Sequence, residues 1–398
     1  MSELYELPDG WEWKKLGDIS KIIGGGTPSK KEPLFWNNGN IKWATVGDMN
    51  VDVIKDTELS ITEKGLKESS SNIISKEAII VATRVGLGKV CFLESDTAIN
   101  QDLKGLLPNT KLTSKEYLFY FFKSISNFII ENGTGATVKG VKLAFVKNLT
   151  IPLPPLKEQK RIVAKLDTLF EKIDKAITLH QKNMDEADVF MGSVLNEVFG
   201  ELEERHERQE LKDIVRIIGG GTPSKKEPSY WKDGNIKWAT VGDMNVETIA
   251  NTELSITKKG LENSSSNIIP KDGIVIATRV GLGKVCYLKS DTAINQDLKG
   301  ILPLDDRLSI RYLFNYFKNI SQYIISNGTG ATVKGIKLEF VKSLNIPLPP
   351  LQIQQKTVKY LDQISEKTEI LKRVQSDEME NLKALKASIL DRAFRGEL

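Results

Sequence analysis

Apolar and polar positions follow two different rhythms along the chain. Up to about residue 150, short apolar runs are broken by glycine, asparagine and proline. Ile41-Lys42-Trp43-Ala44-Thr45-Val46 predicts a strand closed by Gly47-Asp48. Ala78–Thr83 and Lys89–Leu93 predict a strand pair around the turn Arg84-Val85-Gly86-Leu87-Gly88. Tyr117–Ile130 predicts an aromatic-rich helix, with Thr113 and Glu116 at the spacing of a capping box. The segment as a whole reads as a mixed α/β domain.

The rhythm changes at Pro152-Leu153-Pro154-Pro155. Beyond it Ile162, Leu166, Leu169, Ile173, Ala176, His180, Ala187, Phe190 and Val194 fall mostly at alternating steps of three and four. That spacing predicts one long helix with a narrow apolar seam, and Glu171, Lys172, Asp174 and Lys175 lie off the seam as flanking charges. Roughly 45 helical residues make a rod of about 70 Å. A rod with so narrow a stripe needs a partner.

The partner is the second copy of the same text. Ile22–Pro33 returns letter for letter as Ile217–Pro228, and Trp43/Trp238, Arg84/Arg279, Cys91/Cys286, Asn100/Asn295 and Pro152/Pro347 keep the same offset of 195. After Pro347-Leu348-Pro349-Pro350 a second helical seam runs through Leu361, Ile364, Thr368, Leu371, Gln375, Leu382, Leu385 and Ile389, with Glu366 and Lys367 off it. The predicted fold class is α+β: two similar mixed α/β domains joined by two long helices that form an antiparallel coiled coil, with a pseudo-two-fold axis. The expected boundaries are 1–155 for the first domain, 156–208 for the first helix, 209–350 for the second domain and 351–398 for the second helix. His180 and Gln375 share the offset and lie near mid-helix, so they are expected to meet near the axis as a polar layer that sets register. A catalytic base is the lesser reading of His180.

Composition narrows the function. With 40% hydrophobic and 27% charged residues the chain reads as soluble and globular, and its apolar runs fall short of the ~18 residues a membrane span needs. The start, Met-Ser-Glu-Leu-Tyr-Glu-Leu-Pro, has no basic segment leading into an apolar run, so a cytoplasmic location is expected. Two cysteines and two histidines leave no disulfide scaffold and few zinc sites. Net charge is +4, with the excess mainly in 211–350. Nucleic-acid binding by bulk charge would need a more basic chain, so any such affinity must be local or shared with partners.

Catalytic groups are hard to find. Gly86-Leu87-Gly88-Lys89-Val90 lacks the spacing and the Ser or Thr of a P-loop, and Pro28 argues against a dinucleotide turn at Gly24–Ser29. Leu153-Pro154-Pro155-Leu156 lacks the polar first residue of an amino-methyltransferase motif. Neither histidine is duplicated, and Cys91 and Cys286 read as buried thiols. The sequence predicts neither an enzyme, a metal site nor a bound cofactor.

Polar loops remain. Each domain has Lys30 and Lys31 (Lys225 and Lys226) after a proline turn, and Thr83, Arg84 and Lys89 (Thr278, Arg279 and Lys284) around a glycine turn. Asn100 and Gln101 (Asn295 and Gln296) precede an aspartate, and Thr137 and Lys139 (Thr332 and Lys334) end a third loop. Arginine to guanine, amide to adenine, and lysine or threonine to phosphate are pairings used in DNA reading. Together these loops are candidate DNA-binding residues.

The chain resembles the specificity subunit of a type I restriction–modification system. The resemblance rests on Leu7-Pro8-Asp9-Gly10-Trp11-Glu12-Trp13, Gly24-Gly25-Gly26-Thr27-Pro28-Ser29 with Trp36 following, and Ile151-Pro152-Leu153-Pro154-Pro155-Leu156 running into Glu158-Gln159-Lys160-Arg161-Ile162. The closing Ser388–Leu398 also fits, whereas Gln352-Ile353-Gln354-Gln355 lacks the acidic start of the helix. The resemblance implies two target-recognition domains that each read half of a split site in double-stranded DNA, with the helices as spacer. It also implies a non-catalytic chain that recruits two adenine methyltransferase subunits and restriction–translocase subunits, the methyl donor, ATP and magnesium belonging to those partners. A two-domain protein-binding adaptor with a coiled-coil bar is the alternative.

Overall fold

The computed structural model describes residues 5–135, 137–330 and 333–398. The chain divides into two compact units, 1–180 with 377–398, and 181–376. Each contains one copy of the mixed domain and one half of each long helix.

In the first domain the strands are β1 (Glu12–Lys15), β2 (Ser20–Gly24), β3 (Ile41–Ala44), β4 (Val53–Ile54), β5 (Leu59–Ile61), β6 (Asn72–Ile74), β7 (Ile79–Ala82), β8 (Val90–Leu93), β9 (Thr97–Ile99), β10 (Leu103–Pro108) and β11 (Thr150–Leu153). They form a five-stranded sheet ordered β2-β10-β7-β8-β4, a four-stranded sheet ordered β5-β3-β9-β6, and the pair β1-β11. Side chains alternate across β7, and the two faces fill two cores. Ile79 and Val81 pack with Leu106 against the aromatic helix Tyr117–Phe122, while Ile80 and Ala82 pack with Cys91, Ala44, Ile74 and Ile99 between the sheets. A strand buried on both faces reads as an unbroken apolar run, as this one does. The second domain repeats the topology strand for strand.

Local chemistry moves several boundaries. The strand expected over Ile41–Val46 ends at Ala44, because Thr45 caps a 3-10 turn and Asp48 Oδ2 accepts from the Thr45 backbone N–H at 2.7 Å. The aromatic helix starts at Lys115, capped by Ser114 rather than Thr113, and breaks at Ile125 into Lys115–Ser124 and Ser126–Glu131. Thr113 is buried, and its hydroxyl donates to Gln159 Oε1 at 3.1 Å. That bond turns the Thr113 side chain toward Gln159, and the Ser114 hydroxyl accepts from the Tyr117 N–H at the helix start.

The long helices are Leu156–Arg205 and Leu351–Arg395. In the first unit their segments run antiparallel: Arg161 donates to the Leu398 carbonyl at 2.7 Å, and Lys386 pairs with Asp174 at 2.7 Å. Phe394 enters the first core between Tyr117 and Phe121, with ring centroids 5.2 and 5.6 Å away, so the end of the second long helix packs on the first domain. In the second unit Phe199 of the first long helix packs on Tyr312 at 5.3 Å, and Asp188 pairs with Lys372 at 2.9 Å. The seam departs from expectation at three positions. Phe190 is 53% exposed, and Leu371 and Leu385 are also exposed. A straight helix drifts about 20° per heptad against a 3.5 repeat, so by Phe190 the inward positions are Ala187, Val194 and Leu195.

Cys91 and Cys286 are buried, and each donates to a backbone carbonyl, Val51 at 2.8 Å and Val246 at 2.9 Å. Burial pushes both thiols up to about 12, so neither forms the thiolate that reacts. In the native protein at pH 8 neither is expected to react with iodoacetamide, and both should react once guanidinium unfolds the chain. Labelling of the folded protein at the rate of free cysteine would contradict this burial.

Candidate nucleic-acid interface

Antiparallel pairing gathers the candidate loops at one end of the five-stranded sheet. Gly24 at the end of β2 lies opposite Lys104 near the start of β10, Leu103 lies opposite Ala82 at the end of β7, and Val81 pairs with Val90 at the start of β8. The Gly24–Ser29 turn, the 83–89 loop and the 100–102 turn therefore emerge side by side. The 132–140 loop joins them through the Val141 N–H, which donates to the Thr83 carbonyl at 2.8 Å, and through a bridge between Arg84 and Gly140.

The contacts within this cluster are specific. Arg84 Nη1 lies 3.5 Å from Asp102 Oδ1; the arginine is exposed while the aspartate is mostly covered. The Asp102 carbonyl accepts from the Thr83 N–H at 2.8 Å and from the Thr83 hydroxyl at 3.1 Å. Asn100 Nδ2 donates to Asp102 Oδ2 at 3.3 Å, and the Asp102 N–H donates to Asn100 Oδ1 at 3.0 Å. Thr27 donates its hydroxyl to Gln101 Oε1. Lys104 Nζ donates to the Gln101 carbonyl at 2.8 Å; burial lowers its pKa, opposed by the Asp102 charge. Arg84 and Lys104 thus share one carboxylate, which leaves a net positive charge at the loop end. A side chain at Gly25 would overlap the Ile99 and Asn100 carbonyls, so only glycine lets this turn lie against β9 and its exit.

The candidates divide into two kinds. Arg84, Gln101, Thr137 and Lys139 are exposed around the cluster. Thr83 at 4% and Asn100 at 7% exposure face inward and hold the loops together. Lys30 and Lys31 are exposed on the turn before the 3-10 segment Pro33–Phe35 and make none of these contacts. Lys89 turns to the other side of its loop and donates to Asn50 Oδ1 at 2.7 Å.

The second domain repeats the arrangement with Arg279 on Asp297, Thr278 on the Asp297 carbonyl, Thr222 on Gln296 and Lys284 on Asn245. Gln296 and Lys334 are exposed, Asn295 is buried, and Lys225 and Lys226 are exposed. Thr332 lies outside the described residues. Sequence reading missed Asp102 and Asp297 as groups that place the arginines. The aspartate following the amide pair was visible, but its contact with residue 84 was not.

One backbone feature runs against residue preference, a valine as the first of two consecutive positive-φ residues in the turn between the paired strands. Val85 and Val280 carry φ values of 40° and 39°. The other described non-glycine residues at positive φ are Asn38, Asp233 and Asp272, types that tolerate the left-handed region. A β-branched side chain there costs about 1–3 kcal/mol of strain.

His180 and Gln375 are both half-buried on their helices, and Gln375 Oε1 accepts from Asn183 Nδ2 at 3.1 Å.

Comparison with known proteins accords with this geometry. Two stretches of the chain, 8–183 and 203–381, match the family described as type I restriction modification DNA specificity domain. The chain is similar to the type I restriction enzyme MjaIX specificity subunit of Methanocaldococcus jannaschii, 26% identical over 89% of this chain and 87% of that protein. It is also similar to the type I restriction enzyme EcoKI specificity subunit of Escherichia coli K12, 24% identical over 99% and 90%. Among solved structures, a chain from work on complex assembly and conformational transition of the type I R-M system superposes with a TM-score of 0.77 at 24% identity, over 99% of this chain and 100% of that one. The HsdS subunit from Thermoanaerobacter tengcongensis superposes with a TM-score of 0.57 at 24% identity, over 99% of each chain. At these identities the superpositions establish a shared fold.

Proposed function

The chain belongs to the type I restriction–modification DNA specificity family, and from that premise we propose that it reads a bipartite, palindromic and interrupted site in double-stranded DNA. Members of the family are specificity subunits, which are non-catalytic; activity lies in other subunits. In the proposal each domain reads one half-site and the helices set the spacing. Adenine methyltransferase and restriction–translocase subunits dock on the chain in the cytoplasm. Exposed Phe190 and Leu371, which line one apolar groove with Ile364, offer a surface suited to such docking.

The observation that carries the palindrome is the identity of the two loop clusters. Ala82–Cys91 equals Ala277–Cys286, Thr97–Gly105 equals Thr292–Gly300, and Asn132–Gly140 equals Asn327–Gly335. Elsewhere the exposed surface has drifted, with Lys55 against Ala250, Glu68 against Asn263 and Glu94 against Lys289. Drift that reverses charges on other faces but spares every residue of these loops indicates one word read twice. Each domain is attached in the same way to its own outgoing helix, and in each unit the two helix segments run antiparallel. An inverted rather than a direct repeat is the proposed arrangement of the half-sites. His180 and Gln375 are the residues we assign to the register of the spacer.

Co-expression with the partner methyltransferase, followed by mapping of methylated adenines, tests the reading. An inverted repeat around a fixed, unread spacer is expected. An asymmetric bipartite site or a direct repeat would remove the palindrome, and methylation without sequence preference would remove DNA reading altogether.

A further inference from the structure

We infer that Val85 and Val280 are specificity-determining residues that each read the 5-methyl group of a thymine. This rests on the reading of the loop end as a DNA-contacting face, and it names the chemistry of one contact within that face.

Val85 sits at the centre of the loop cluster, directly after Arg84, whose guanidinium is held by Asp102. It is 51% exposed, as is Val280, and neither belongs to a hydrophobic cluster among the described residues. The next apolar residue, Leu87, does pack inward, against the Gly133 turn and the first core. The loop therefore separates its two apolar side chains, one serving the fold and one pointing away from it.

The backbone sharpens the contrast. At φ near 40° glycine or asparagine would relieve the strain, and the fold would lose little apolar packing. A valine that strains its own backbone, is half exposed and lies outside the hydrophobic clusters contributes little to the folded monomer. Its value must lie in what the loop meets. Both domains retain it in an identical ten-residue run, although their surfaces have diverged elsewhere.

DNA offers few apolar features to an exposed side chain. In the major groove the outstanding one is the thymine 5-methyl, which contacts small apolar groups, whereas phosphates, sugars and the other base edges call for donors or acceptors. Arg84 beside Val85 supplies such donors. The pair reads as one polar and one apolar contact from adjacent residues, directed at neighbouring bases. A wedge between base steps would call for a longer side chain such as Phe, Leu or Met.

The test uses the full chain assembled with its methyltransferase partner, on the target mapped as above. Each thymine of the target is replaced singly by uracil, which removes only the methyl group. The wild-type complex is expected to bind about 3- to 5-fold more weakly at one uracil position in each half-site, the factor for one buried methyl-sized group. Val85→Gly with Val280→Gly should lose the same factor on the native target and become indifferent to that uracil. Val85→Asn with Val280→Asn should behave likewise, because it relieves strain without restoring an apolar group. Both variants should melt at or above the wild-type temperature. The inference is overturned if every uracil is tolerated, if a half-site holds no thymine, if the variants keep the discrimination, or if they melt lower. Each of those results leaves DNA reading by the loops intact. Loss of all preference for the mapped target over random DNA would overturn that broader reading and this inference together.

Discussion

Arg84→Ala combined with Arg279→Ala is expected to weaken specific DNA binding by roughly 1–3 kcal/mol for each lost base contact, about 5- to 150-fold per half-site. Two features of the structure give the arginine this weight. Its stem lies against Gly140, where a side chain would collide with it, and its guanidinium rests on Asp102. Asp102 is itself fixed by the Asn100 side chain, which donates to its carboxylate and accepts from its backbone N–H, and by the donors of Thr83 on its carbonyl. Little side-chain entropy is then left to lose on binding, so more of the contact energy survives in the affinity. The single variants carry further information. Arg84→Ala alone should weaken binding to the intact target by the factor for one half-site and then tolerate alteration of the contacted position in one half-site, because the second domain retains its own arginine for the other. Binding titrations on the mapped target and on random duplex separate the alternatives. Equal losses on both would make the arginines phosphate contacts, and no loss on either would return them to solvated surface.

Gln159→Leu is expected to cost about 3 kcal/mol of stability in the first unit, read as a shifted guanidinium midpoint. Gln159 is fully buried where the long helix leaves the domain. Its Oε1 accepts from the Thr113 hydroxyl at 3.1 Å and the Ser114 N–H at 3.2 Å. Its Nε2 donates to the Leu112 and Pro154 carbonyls at 2.8 and 2.9 Å. Leucine fills a similar volume but strands two buried donors and two acceptors, and each unsatisfied group costs about 1–3 kcal/mol, offset in part by relaxation and water. Gln354→Leu should do the same in the second unit, where Gln354 accepts from the Ser309 N–H at 2.8 Å and donates to the Arg307 and Pro349 carbonyls. A midpoint change below about 1 kcal/mol in either would show that the junction does not depend on the amide. The missing acid in Gln352-Ile353-Gln354-Gln355 thus leaves the junction intact. The anchoring amide is retained, whereas Glu158 of the first copy pairs with Arg161 on the surface.

Legibility differed by the range of the interaction. The β7–β8 pair and both long helices follow from side-chain periodicity, which is local. Their boundaries slipped where a side chain found a distant partner: Thr113 could not be seen to belong to Gln159, so Ser114 took the cap. Phe190 went wrong because a seam drawn at strict three- and four-residue steps ignores the slow rotation of a straight helix. At the loop end, residue types pointed to Arg84, Gln101 and Lys139. Thr83 and Asn100 have the same chemistry but turn inward, and no local pattern distinguishes a hydroxyl that faces solvent from one bonded to a carbonyl nineteen residues away.

By itself, the sequence determined that one domain is used twice, that each copy leads into a long amphipathic helix, and that the loop residues of the two copies are the same. These are properties of repetition and of spacing, both carried by the order of letters. Only the tertiary structure decided that residues 24–29, 83–89, 100–102 and the described residues of 132–140 form one surface. That depends on β10 lying between β2 and β7, a pairing of strands far apart in the chain. It also decided which of their polar groups remain free. Buried donors and acceptors must find partners before any can be offered outward, and those partners come from across the fold.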